Sequence, residues 1–79
     1  KLKYPQIAQE NGISGKVTLT FVIERDGSLT NIQVMQSPDR SLADEAVRVL
    51  QSSPKWTPGK QRNSPVRVRY TLPVEFRIQ

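Results

Sequence analysis

The chain has 79 residues, with 12 Lys+Arg against 7 Asp+Glu, a formal net charge of +5, and no cysteine or histidine. That length fits one domain with a small core. The composition excludes disulfides, thiol nucleophiles, Cys/His zinc sites and a histidine general base, and no stretch reaches the ~20 apolar residues of a membrane-spanning helix.

Tyr4-Pro5 opens the first element, with Pro5 suited to the first helical turn and Gly12 to a left-handed stop. The spacing predicts a two-turn helix that is stable only if Tyr4, Ile7 or Ala8 docks on a core. After Gly15 the period becomes two. Val17, Leu19, Phe21 and Ile23 share one face of a strand. Asp26-Gly27 marks a hairpin turn, because both residues tolerate positive φ. The return strand runs from about Leu29 to Gln36, with Ile32 and Val34 on the apolar face.

Ser37-Pro38 ends that pairing. Ser41, three residues before Asp44, reads as a capping start. Leu42, Ala46, Val49 and Leu50 form a helical stripe, and Pro54 closes the helix. Lys55 to Pro65 reads as a loop broken by Pro58 and Gly59. Its Trp56 is expected to plug the end of the core. Val66 to Ile78 is the longest alternation, with Val66, Val68, Tyr70, Leu72, Val74, Phe76 and Ile78 on one face.

These elements predict an α+β fold: helix, strand, strand, helix, strand, in a single domain over residues 1–79. The expected sheet is antiparallel, three-stranded and ordered 2-1-3, with both helices on one face. Pro73 places the last strand at an edge, since proline cannot donate to a ladder. An open edge can accept an extended peptide. Arg67, Arg69 and Arg77 are the charges that discourage self-pairing of edges.

No two carboxylates form a convincing acid/base pair, and there is no phosphate loop or metal-ligand cluster. No enzymatic activity and no cofactor are expected. From Arg48 to Gln79 there are seven basic residues against one acid, Glu75. That stripe suits an acidic protein segment, an anionic membrane surface or nucleic acid. The basic residues are not interleaved with exposed aromatics, which weighs against nucleic acid.

The ordered motifs resemble the TonB C-terminal domain family. They run from Tyr4-Pro5 through Gly15-Lys16-Val17, Asp26-Gly27, Pro54-Lys55-Trp56 and Pro58-Gly59-Lys60 to Pro65-Val66, Tyr70, Pro73 and Phe76. The resemblance implies a periplasmic domain of a protein anchored in the inner membrane, acting with ExbB and ExbD. It would bind the TonB box of TonB-dependent outer-membrane receptors and transmit proton-motive energy for uptake of siderophores, cobalamin or glycans. It implies a docking edge at Val66, Arg67, Val68, Arg69, Tyr70, Thr71 and Leu72, with Lys3, Tyr4 and Pro5 close to the receptor. Asp26, Gly27, Trp56, Pro58, Gly59 and Pro73 would be structural. The chain is expected to be one module of a longer protein. The alternatives are a basic nucleic-acid-binding module, a TolA-like structural domain, or the same domain fused to a sensor-like membrane protein.

Overall fold

Val17, Leu19 and Phe21 alternate along strand β1 (Gly15–Ile23) and lose all solvent contact. A strand this apolar on one face must be covered, and two helices cover it. In the computed structural model, which describes residues 2–78, β1 is the centre of a three-stranded antiparallel sheet. Strand β2 (Leu29–Gln36) flanks it on one side and the last strand (Val68–Phe76) on the other. The spatial order is the expected 2-1-3, and the helices lie on the face that carries the core.

Helix α1 (Gln6–Glu10) is short and starts from Pro5, which sits at the N-cap position rather than inside the first turn. Gly12 ends it at φ +66°. Ala8 is its buried residue, and the Ile13 N–H donates to the Ala8 carbonyl (2.8 Å). Helix α2 (Arg40–Gln51) buries Leu42, Ala43, Ala46 and Leu50 on one stripe. Val47, not the expected Val49, is the partly buried valine packed on this core. Its N-cap is Asp39 rather than Ser41. Asp39 accepts the Ser41 N–H (2.9 Å) and also the Ser41 hydroxyl, and these bonds hold its carboxyl below the usual range. Capping through a carboxylate satisfies a helix N–H that has no partner within the helix.

The segment expected to be a loop contains a second, two-stranded sheet. Strand β3 (Gly59–Gln61) pairs with β4 (Ser64–Val66), and the last strand is therefore β5. Arg62 and Asn63 make the turn at φ +53° and +67°. Positive φ at both central residues is the geometry of a two-residue hairpin loop whose twist matches its strands. The hairpin sits against the start of β5, since a Cβ on Gly59 would lie 2.4 Å from a methyl of Val68.

Trp56 closes one end of the core, as expected. Its ring meets Phe21 at 5.2 Å and Tyr70 at 5.9 Å between centroids. The Trp56 N–H donates to the Gly27 carbonyl (2.9 Å), tying the loop to the β1–β2 turn. Gly27 is required there on two counts. Its φ is +88°, and a Cβ would stand 2.3 Å from the Trp56 carbonyl oxygen. Asp26 shapes the same turn by accepting the Ser28 hydroxyl (2.6 Å) and N–H (2.9 Å).

Candidate functional site

Both outer strands of the main sheet have an open side, but the two edges differ. Strand β2 shifts register twice against β1, between Thr18 and Leu19 and between Thr20 and Val22. Asn31 lies at φ +53° within the second irregularity. Bulges of this kind twist an edge and spoil it as a template. Strand β5 is regular. Nine consecutive pairs run without a shift from Gly15↔Phe76 to Ile23↔Val68.

The direction of the backbone groups on β5 follows from the register. Glu24, just past β1, donates its N–H to Ser28 on the β2 side (2.8 Å). Alternation then turns Val22, Thr20 and Thr18 toward β2, and Ile23, Phe21, Leu19 and Val17 toward β5. Their partners Val68, Tyr70, Leu72 and Val74 face β1. The outward positions are Arg69, Thr71, Pro73 and Glu75. Pro73 is thus placed where its missing N–H leaves the internal ladder whole. The open edge offers the N–H groups of Arg69, Thr71 and Glu75 and the carbonyls of all four outward residues.

The expected edge Val66–Leu72 is divided by this arrangement. Val66 belongs to β4, opposite Gly59, and Arg67 lies between the two strands. Val68 to Leu72 fall in β5 as expected, and the strand continues through Pro73 to Phe76. Continuous alternation from Val66 onward hid the break. The visible signals were Asn63, which tolerates left-handed φ, and the proline at position 65. Glu75 was missed as an edge residue. Its place in the pairing parity, set by Pro73, identifies it.

Charge is graded along the edge. The Arg67 guanidinium donates to both Glu24 carboxylate oxygens (2.7 and 3.3 Å). Together with Thr30 it holds the Glu24 carboxyl below its ordinary value. Lys60, Arg62 and Arg69 make no ion pair among the described residues, so the β3–β4 hairpin and the start of β5 present net positive charge. At the far end Arg77 pairs with Glu75 (3.3 Å), and Lys16 stands opposite Glu75 in the register.

Lys3, Tyr4 and Pro5 gather at this far end. The Tyr4 hydroxyl donates to the Ile13 carbonyl, and its ring stands edge-on to Phe76 at 5.6 Å. The Lys3 backbone N–H donates to Glu45 Oε2 (2.7 Å), and Arg48 grips the same carboxylate through Nε (2.9 Å) and Nη2 (2.7 Å). Arg48 above all, with Lys3, pulls the Glu45 carboxyl down to about 2. A depressed carboxyl stabilises the folded arrangement fully above its ordinary value near 4.5 and loses that contribution as pH falls through about 2. We therefore expect the Lys3 amide resonance to hold steady above pH 5 and to titrate with its midpoint near 2. In Glu45→Gln that titration should vanish. A Lys3 midpoint near 4.5 in the unaltered chain would show that the clasp is not formed.

The structure is a small α+β domain whose sheet has one irregular edge and one regular, open edge. The profile described as Gram-negative bacterial TonB protein C-terminal matches residues 1–78. The chain belongs to the TonB C-terminal domain family. It is 42% identical over 53 residues to protein TonB of Pseudomonas aeruginosa, covering 67% of this chain and 15% of that protein. It is 41% identical over 46 residues to protein TonB of Helicobacter pylori, covering 58% of this chain and 16% of that protein. The chain thus spans about a sixth of the length of these curated relatives. Its fold matches the solution structure of the Pseudomonas aeruginosa TonB C-terminal domain at a TM-score of 0.74 and 31% identity, covering 100% of this chain and 80% of that one. A Helicobacter pylori TonB C-terminal domain matches at 0.71 and 29%, covering 98% and 80%.

Proposed function

We propose that the outward edge of β5 binds an extended segment of a TonB-dependent outer-membrane receptor, the TonB box, by strand addition. The observation that carries this reading is the contrast between edges: β5 pairs over nine residues without a bulge, while β2 is broken twice. Main-chain bonds at Arg69, Thr71 and Glu75 supply affinity that is indifferent to side chains. The positive charge of Arg69 and the β3–β4 hairpin favours an acidic segment and speeds its encounter. Family membership supports a periplasmic setting, in a protein anchored in the inner membrane that works with ExbB and ExbD. In that setting the domain hands proton-motive energy to the receptor for nutrient uptake and catalyses no reaction itself.

The test is a titration of isotope-labelled domain with peptides copied from the N-terminal segments of TonB-dependent receptors. Amide shifts should concentrate on Val68–Phe76, with the outward residues Arg69, Thr71 and Glu75 moving most. Shifts confined to β2, or none with any cognate peptide, would refute the reading.

A further inference from the structure

The far end of β5 adjoins a hollow of about 460 Å³, lined by Leu2, Tyr4, Gln9, Glu75, Phe76, Arg77 and Ile78. Residues of both parities line it. Phe76, the last residue of β5, is buried in the core, Glu75 is an outward position of the strand, and Arg77 and Ile78 follow beyond its end. The hollow therefore shares Glu75, an outward position of β5, with the open edge. Leu2 and Ile78 leave 44% and 41% of their surface in water with no cover among the described residues, while Tyr4 and Phe76 form a rigid floor through their edge-on contact. The Glu75–Arg77 pair cancels charge at the lip. Tyr4 is fixed by its hydroxyl bond to Ile13 and the Lys3 backbone by Glu45, so the wall is preformed.

We infer that this hollow is an anchor subsite for one apolar side chain of the segment that docks on β5. The inference rests on the strand-addition reading, since the occupant is argued from the hollow's continuity with that edge. It adds a side-chain rule to it. The anchor lies about seven residues, or roughly 23 Å, from the position facing Arg69. A partner is then read at two separated points: charge beside Arg69 and the hairpin, and apolar volume between Leu2, Tyr4, Phe76 and Ile78. Side-chain pockets beside a main-chain ladder are how strand addition gains selectivity.

The experiment takes a receptor peptide that shifts the Val68–Phe76 resonances and replaces each of its apolar residues in turn by aspartate. One replacement should weaken binding about tenfold, the scale of exposing a leucine-sized side chain. That penalty should shrink to less than threefold in Ile78→Asp and in Leu2→Asp, two exposed positions outside the helices and strands, with the unfolding midpoint of each variant measured alongside. A penalty unchanged in both variants overturns the subsite and leaves docking intact. No shift along β5 with any peptide overturns docking and the subsite together. Leu2 and Ile78 resonances that move on dilution without peptide, or on extending the chain upstream of Lys1, would give the hollow to a second copy or to the chain itself and also overturn the inference.

Discussion

Thr71→Pro is expected to weaken peptide docking at least tenfold while leaving the domain folded. Thr71 faces outward from β5, so its N–H serves only an incoming strand. Proline removes that donor and puts ring carbons where the partner's carbonyl would approach. A net hydrogen bond is worth about 0.5–1.5 kcal/mol, and the steric block adds to its loss. The ladder to β1 is untouched, because it is made by Val68, Tyr70, Leu72 and Val74. Leu72→Pro is the matched control. It removes a donor to β1, worth about 0.5–1.5 kcal/mol, from a residue packed on the core, and so should lower stability where Thr71→Pro does not. Calorimetric titration and thermal unfolding separate the two effects. Wild-type affinity in Thr71→Pro would show that β5 is not the docking edge.

Phe21→Ala should have the largest effect on stability. Phe21 is fully buried on the central strand, and its ring touches both Trp56 and Tyr70, at 5.2 and 5.7 Å between centroids. Its loss empties the junction of sheet, loop and last strand. Such truncations cost about 3–5 kcal/mol. A domain of this length holds only about 4–12 kcal/mol in total. The variant should therefore unfold at a much lower denaturant midpoint, with Trp56 fluorescence reporting exposed indole at room temperature. An unfolding free energy within about 1 kcal/mol of the parent chain would mean that the aromatic cluster does not hold the fold.

The sheet order and the edge position of β5 were legible because each rests on a local rule with one outcome. Pro73 cannot donate, Asp26-Gly27 must turn, and a period of two fixes which residues of β1 are buried. The β3–β4 hairpin was not legible. Its strands are three residues long, carry no alternating core face, and are held by the left-handed pair Arg62-Asn63. The break at Arg67 was masked because Val66 and Val68 keep the same alternation on both sides of it. The cap on α2 was misplaced by two residues, since Asp39 and Ser41 are both good caps and only the chain direction after Pro38 chooses between them. The clasp from Lys3 to Glu45 spans 42 positions and uses a backbone donor, so no side-chain pattern announces it. The open edge was thus readable as a strand but not to its ends, since a hairpin without a core face sets where it starts.

The pairing register of β5 also divides its residues into two sets with separate duties. Val68, Tyr70, Leu72, Val74 and Phe76 supply the internal ladder and the packing, so each is answerable to the stability of the domain. Arg69, Thr71, Pro73 and Glu75 supply the outward backbone and project their side chains from the open face. The second set can be rewritten one residue at a time with little disturbance to the first. Substitutions at Arg69, Thr71, Pro73 and Glu75 are thus ones that folding hardly registers, and the alternation of the strand is what keeps the open edge separate from the internal ladder.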